Sequence, residues 1–353
     1  MKRILKILVW IVVIIVLFFG GFLIFITIFD YRPEKVEILL KNNKAGIGAL
    51  EKDTFKLMTW NIGYAGLGKE MDFFYDGGKK VRPTRMQARK YLNGIKDFVN
   101  NHKNVDFFLL QEIDVKSKRS YRMNEVDELG KILPDYTPVF AINYQVPFVP
   151  VPLYEPMGSV KGGLITFSKY YPQKAIRYAY PVVASWPDRL FLLNRCFIMV
   201  RFPLTEGKDL VVINTHNSAY VYDSISRNQE LQVIKNKMLE EYHQGNYVIA
   251  GGDWNANPPF YKPANGYDGH RFVRSEVKMN PALFPEGWHW AFDPTAPTNR
   301  QNNQPFVKGE NGTTCLDYFV ASPNIEVITT QTIDLAFENS DHNPVVAKIY
   351  IKQ

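Results

Sequence analysis

Residues 7–29 read ILVWIVVIIVLFFGGFLIFITIF, a run without a single charge. About 20 apolar residues suffice to span a bilayer, and in hydrocarbon such a run satisfies its own backbone only as a helix. Lys2, Arg3 and Lys6 precede it, and basic flanks stay cytoplasmic, so the remainder is expected outside that compartment. A cleavable signal peptide has a shorter apolar region and a small-residue cleavage site; neither precedes Asp30-Tyr31-Arg32-Pro33. The expected organisation is a basic cytoplasmic end at 1–6, a transmembrane signal anchor at 7–29, a polar juxtamembrane stalk at 30–53 with glycines at 46 and 48, and one large domain at 54–353.

That domain has the material for a core. The 353-residue chain is 46% hydrophobic and 22% charged, which excludes a disordered tail, a collagen or a low-complexity array. Beyond residue 30 there remain 39 basic and 34 acidic residues, a net charge of +5. This favours an anionic substrate or surface without identifying nucleic acid. Cys196 and Cys315 are too few for a disulfide framework or a zinc site and sit in apolar runs, so two free core thiols are expected.

Runs rich in Val, Ile, Phe and Tyr, bounded by turn residues, predict strands at 55–61, 105–111, 136–142, 163–168, 174–182, 196–202, 210–215, 247–252, 316–321, 326–332 and 345–351. Helical periodicity covers 84–102 and 224–244. Many strands with few helices predict two packed sheets covered by helices. The proline- and aromatic-rich stretch 139–156 is expected as an edge or a loop, because proline cannot donate to a ladder; its first reading is a lid over a sheet edge and its sharper one an apolar lip that touches substrate or membrane.

Several of these strands end in polar residues that a β pattern does not need. Asn61 closes TWN, Glu112 lies in LLQEID and His216 in NTHN. Asp253 and Asn255 lie in GGDWN, Asp317 in LDYF, and Asp341 and His342 in SDHNP. Singly, Asn61, Glu112 and Asp341 have plain readings as turn or loop residues, whereas a buried Asp317 needs a partner. Together, the oxygens suit Mg²⁺ or Mn²⁺. The two histidines suit proton transfer or phosphate contact. Such a set stabilises the anionic transition state of phosphoester hydrolysis.

The ordered series WNIGY, LLQEID, NTHN, GGDWNANP, LDYFVAS and SDHNPV resembles the endonuclease/exonuclease/phosphatase superfamily, which includes deoxyribonuclease I, exonuclease III, neutral sphingomyelinases and inositol-polyphosphate phosphatases. The resemblance covers about residues 55–353. It implies an α/β fold, a four-layer sandwich of two packed mixed β-sheets flanked by helices, and a Mg²⁺-dependent phosphoesterase, with Mn²⁺ as a substitute. It implies metal binding by Asn61, Glu112 and Asp341. Asp253 is implied to orient or deprotonate the attacking water and Asn255 to hold it. His342 is implied to contact the phosphate, Asp317 to fix its tautomer, and His216 to assist the leaving group, with Glu155 as a candidate partner. Trp254, where relatives often carry Phe, and Tyr318, where the inositol phosphatases and deoxyribonuclease I carry Arg, are departures.

The implied partners are a phosphodiester, in nucleic acid or phospholipid, and the membrane through the N-terminal helix; no protein partner is inferred. The basic cluster Lys79, Lys80, Arg82, Arg85, Arg89 and Lys90 leans toward nucleic acid but reads first as a solvated face. Arg119 and Arg300 read as solvated arginines, and Trp288 and Trp290 as core filling. A catalytically silent phosphate- or lipid-binding module on the same fold is the alternative.

Overall fold

The computed structural model describes residues 1–41, 49–205, 207–219, 224–262 and 277–351. In chain order the helices are α1 (Lys2–Ile28), α2 (Arg85–Asn101), α3 (Glu125–Ile132) and α4 (Ser224–His243). The strands of the first half are β1 (Val36–Lys41), β2 (Thr54–Asn61), β3 (Phe107–Asp114), β4 (Thr137–Val149), β5 (Gly158–Ser168), β6 (Lys174–Ala179) and β7 (Cys196–Pro203). Those of the second are β8 (Asp209–His216), β9 (Tyr247–Asp253), β10 (His289–Ala291), β11 (Asn299–Arg300), β12 (Thr313–Thr314), β13 (Asp317–Ala321), β14 (Ile325–Thr332) and β15 (Val345–Ile351).

Side-chain alternation sets the layers. On β2, Phe55 and Leu57 point to one side and Met58 and Trp60 to the other; on β3, Phe107 and Leu109 oppose Phe108 and Leu110. The first set meets Ile198, Val200, Val212, Ile249 and Phe319 from the facing sheet in the central core. The second set is covered by Tyr91, Leu92, Ile95 and Val99 of α2 and Leu129 of α3. On the far side, Leu231, Ile234 and Met238 of α4 cover Val211, Ile213 and Val248. The result is the expected four-layer sandwich of two mixed sheets.

One sheet has seven strands in the order β1-β6-β7-β8-β9-β13-β10, the other six in the order β14-β15-β2-β3-β5-β4. Each contains a single parallel pair at its middle, β8 with β9 and β2 with β3, and is otherwise antiparallel. Parallel neighbours bring the carboxyl ends of both strands to the same edge, which is where the polar tails of the motifs collect.

One expectation changes, one element is new, and one stretch is resolved into its parts. Within the stretch read as a stalk, β1 pairs with β6 from Val36↔Tyr178 to Lys41↔Lys174, and Leu39 and Leu40 pack on the central core; these residues belong to the domain. Residues 42–48, with Gly46 and Gly48, lie outside the described residues. Helix α3, started by the Asn124 side chain accepting from Asp127 N–H, spans too few turns to show a period in the sequence. The 139–156 stretch is both edge and loop, as expected: β4 takes its first part, Pro147 included, as the edge of the six-stranded sheet, and a loop takes the rest. Helix α1 is long and apolar enough to cross a membrane. Both cysteines are free and buried.

Candidate active site

Strand register assembles the site before any side-chain detail. Asn61 pairs with Gln111 across β2 and β3. His216 lies opposite Asp253 across β8 and β9, and Asp253 opposite Asp317 across β9 and β13. Beneath them the Gln111 amide donates across to the other sheet, to Asn214 Oδ1 at 2.7 Å, and within its own sheet to Thr59 Oγ1 at 3.1 Å, fastening one strand-end cluster to the other.

Two backbone devices aim the acids. The β3–β5 register slips between Leu110 and Ile113, and within that bulge Glu112 has φ 53°. A bulge re-aims a side chain that regular pleating would direct elsewhere; here it brings Glu112 to the floor. At Gly252 a Cβ would stand 2.0 Å from the Thr215 carbonyl oxygen, so only glycine lets β9 lie against β8 closely enough to set Asp253 beside His216.

The floor is tight. Asn61 Nδ2 donates to Glu112 Oε1 and to Asp253 Oδ2, both at 3.1 Å, while its Oδ1 accepts from Gly63 N–H at 3.0 Å. Asp253 Oδ1 accepts from Asn255 N–H at 2.9 Å. His216 Nε2 lies 3.5 Å from Asp253 Oδ2 and 3.9 Å from Glu112 Oε1. The Asn255 amide donates to Asn217 O at 2.8 Å, leaving its buried Oδ1 without a hydrogen-bond partner. Asp341 accepts from Asn302 Nδ2 at 2.6 Å.

His342 is held from both sides of its ring. Nδ1 lies 2.7 Å from Asp317 Oδ2 and Nε2 lies 2.9 Å from Asn299 Nδ2. With Nδ1–H donating to Asp317 and Nε2 accepting from Asn299, this is the arrangement of a neutral ring. Burial also favours the neutral form, but Asp317, Asp253 and Asp341 outweigh it and push the histidine up to about 10. A charged ring needs an acceptor at Nε2, and Asn299 turned over supplies its Oδ1, which has no partner in the present orientation. Glu112 is pushed up by burial and by Asp341, against Arg119 and Asn61. Buried carboxylate oxygens gathered in this way are the hard ligands that suit a divalent cation. Asp253, Asp317 and His342 each offer a ligand atom within 4.8 Å of one another.

All of the expected site residues except Asn61 and Asp317 line one cleft of about 460 Å³, and those two sit directly behind it as partners of Glu112 and His342. Its upper wall is apolar, with Tyr64, Phe73, Tyr144, Val149, Val151, Met157, Phe191 and Leu193. Arg119, expected in solvent, is buried: it makes two 3.0 Å bonds to the Asp114 carboxylate and stacks 3.6 Å from the Tyr64 ring centre. Arg300 is also buried, donating to the carbonyls of Leu67 and Gly68. Glu155 does not join His216; it pairs with Arg82 at 3.0 Å. Trp288 is core, as expected, and Trp290 is half-buried against it. Trp254 stacks on Tyr318 with ring centres 5.6 Å apart, so the two departures pack on one another. Sequence reading missed Asn299, Asn302 and Asn217, whose only signal was their place beside the motifs.

The structure is a two-sheet sandwich with carboxylates and imidazoles gathered at its joined strand ends. Over residues 58–342 the chain matches the family model for the Endonuclease/Exonuclease/phosphatase family, and it belongs to that family, whose members are phosphoester hydrolases. An endonuclease/exonuclease/phosphatase from Bacteroides vulgatus aligns with 85% of this chain and 100% of its own, at 16% identity and TM-score 0.55. ANGEL2, a 2′,3′-cyclic phosphatase in complex with adenosine-2′,3′-vanadate, aligns with 87% and 98% of the two chains, at 13% identity and TM-score 0.56. The human Nocturnin catalytic domain aligns with 86% and 96%, at 16% identity and TM-score 0.52. At these identities the likeness is one of fold. No curated protein matches the chain in sequence.

Proposed function

We propose that this protein is a membrane-anchored, Mg²⁺-dependent phosphoesterase that hydrolyses a phosphodiester by in-line attack of water, with Mn²⁺ as a substitute ion. One observation carries the reading: three carboxylates, Glu112, Asp253 and Asp341, and two imidazoles, His216 and His342, line one cleft. Glu112 and Asp341, with Asn61 alongside, would hold the ion. When bound it supplies positive charge to the scissile phosphate.

The remaining work falls to the chain. Asp253, fixed by Asn255 N–H and Asn61, takes a proton from the attacking water, and the unpartnered Oδ1 of Asn255 accepts a hydrogen bond from it. The water oxygen forms the new bond to phosphorus as the bond to the leaving oxygen breaks, and His216 gives that oxygen a proton. His342, held by Asp317 at Nδ1, exchanges its Nε2 contact with Asn299 for one to the phosphate and donates there in its charged form. The basic residues Lys2, Arg3 and Lys6 at the start of α1 support an anchor with the catalytic domain on the extracytoplasmic side.

The direct test assays the full-length protein on bis(4-nitrophenyl) phosphate with Mg²⁺ and with chelator. Hydrolysis is expected only with metal and is expected to vanish in Asp253→Ala while the fold, followed by circular dichroism, is kept. Near-normal turnover in Asp253→Ala sinks the assignment. Tight retention of a phospholipid or oligonucleotide without turnover points instead to the silent binding module.

A further inference from the structure

The apolar wall of the cleft is joined to the foot of the membrane helix. The segment between β6 and β7 carries Phe191, Leu192 and Leu193 into the cleft and clasps the last turns of α1. The rings of Phe191 and Phe22 stack with centres 6.2 Å apart. Trp186 Nε1 donates to Thr27 Oγ1 at 3.2 Å, Arg189 pairs with Asp30 at 3.0 Å, and Asn194 Nδ2 donates to the Tyr31 carbonyl at 3.2 Å. From the opposite wall Phe148 meets Phe22 edge-on, also at 6.2 Å, one residue before the cleft-lining Val149, Pro150 and Val151.

This joint fixes where the cleft stands relative to a bilayer. The apolar residues of α1 from Ile4 to Phe19 are exposed, and Ile24, Phe25, Ile28 and Phe29 stay exposed while Ile26 is buried on the domain. One side of α1 free to meet lipid therefore runs on past the level at which Phe22 meets the cleft wall. Around that point the protein leaves Val151, Leu153 and Tyr154 exposed on one segment and Val182, Val183, Trp186 and Leu192 on the other, Leu153 at 86%. Grouped exposed apolar residues mark an interaction surface, and Trp and Tyr among them suit the level of lipid headgroups. A nucleic acid needs unpaired cations along its backbone. Of the six residues of the basic cluster, three are spent within the chain, Lys80 on Asp72, Arg82 on Glu155 and Lys90 on Glu70, which leaves a short patch rather than a continuous track.

We infer that the cleft opens onto the membrane surface and that the substrate is a phospholipid of that membrane. Its phosphodiester reaches the floor at Glu112 and His342, and its apolar part passes between Val151 and Leu192 back into the leaflet. The inference rests on the phosphoesterase reading and adds the substrate class to it.

The test reconstitutes the full-length protein in vesicles of phosphatidylethanolamine, phosphatidylglycerol, phosphatidylcholine and sphingomyelin in equal parts, with Mg²⁺. Lipid products are read by mass spectrometry; bis(4-nitrophenyl) phosphate and supercoiled DNA are assayed in parallel. A double variant, Leu153→Asp with Val183→Asp, alters rim residues that do not line the cleft. Expected are cleavage of a vesicle lipid, at least a tenfold loss of it in the double variant, and soluble-ester hydrolysis within twofold of wild type. Cleavage of the soluble ester or DNA with every vesicle lipid intact overturns the lipid inference and leaves the phosphoesterase reading standing. No hydrolysis of any ester overturns both, and undiminished lipid cleavage in the double variant overturns the membrane-facing cleft. Independently of headgroup, an environment-sensitive fluorophore on Leu153→Cys should shift to the blue in vesicles, since Cys196 and Cys315 are buried. One on Glu326→Cys, exposed on the edge strand farthest from β4, should not. Matching spectra at the two positions contradict the inference.

Discussion

Asp317 has little to do with substrate and much to do with the ring that meets it. Its 2.7 Å contact sets the tautomer and plane of His342 from a fully buried position, where an unpartnered carboxylate is costly. Asp317→Ala is expected to lower kcat by about 10²–10⁴-fold, the range for a misplaced acid–base or hydrogen-bonding group, with little change in KM; an unchanged kcat contradicts this role. Glu125 shows a different use of a buried acid. Burial and the nearby Asp114 push it well above its ordinary 4.5, so it folds protonated, accepting from Asp114 N–H at 2.8 Å. The folded state then binds a proton that the unfolded state releases, and stability falls as pH rises above about 4.5. Glu125→Gln lacks that dependence. Denaturant titrations in detergent at pH 5 and pH 8 should show the variant gaining on wild type at the higher pH, and a constant difference refutes the protonated state. Residue types were legible for the acids and histidines because a polar group at a strand end stands out. Arg119 was not, since its partner Asp114 and its stacking ring Tyr64 come from separate segments of chain. Asn299 lacked even a charge to mark it.

At the level of elements, β-rich runs bounded by turn residues found the core strands and apolar periodicity found α2, which Thr84 and Gln87 start with a reciprocal capping box. The same signals overlooked β1, because Val36–Lys41 follows the membrane run and reads as a tether until it pairs with β6. The aiming devices are also local. Gly252→Ala would put a Cβ 2.0 Å from the Thr215 carbonyl oxygen, forcing β8 and β9 apart. Overpacking of this kind costs about 1–3 kcal/mol and more where backbone must move. Loss of activity beyond the loss of folded protein is expected, because the separation also moves His216 from Asp253. A stable, fully active Gly252→Ala contradicts the close-approach account.

Across the whole molecule, the site belongs to neither sheet. Asn61 and Glu112 come from the six-stranded sheet, His216, Asp253 and Asp317 from the seven-stranded one, and Asp341 and His342 from the turn before β15. Order along the chain made the motifs recognisable, but how the sheets meet, through Gln111 and Asn214 and the central core, is a tertiary fact with no local signature. The attachment of the cleft wall to α1 is of the same kind, depending on contacts between residues more than a hundred positions apart, such as Phe22 and Phe148. Metal, floor and water are claimed to act as one unit, so binding and turnover must rise together. The decisive measurement is a Mg²⁺ titration of the full-length protein, following binding by calorimetry and soluble-diester hydrolysis side by side. Both are predicted to saturate at the same Mg²⁺ concentration and both to be lost in Glu112→Ala. Hydrolysis that persists in chelator, or Mg²⁺ binding that survives Glu112→Ala unchanged, would contradict the account.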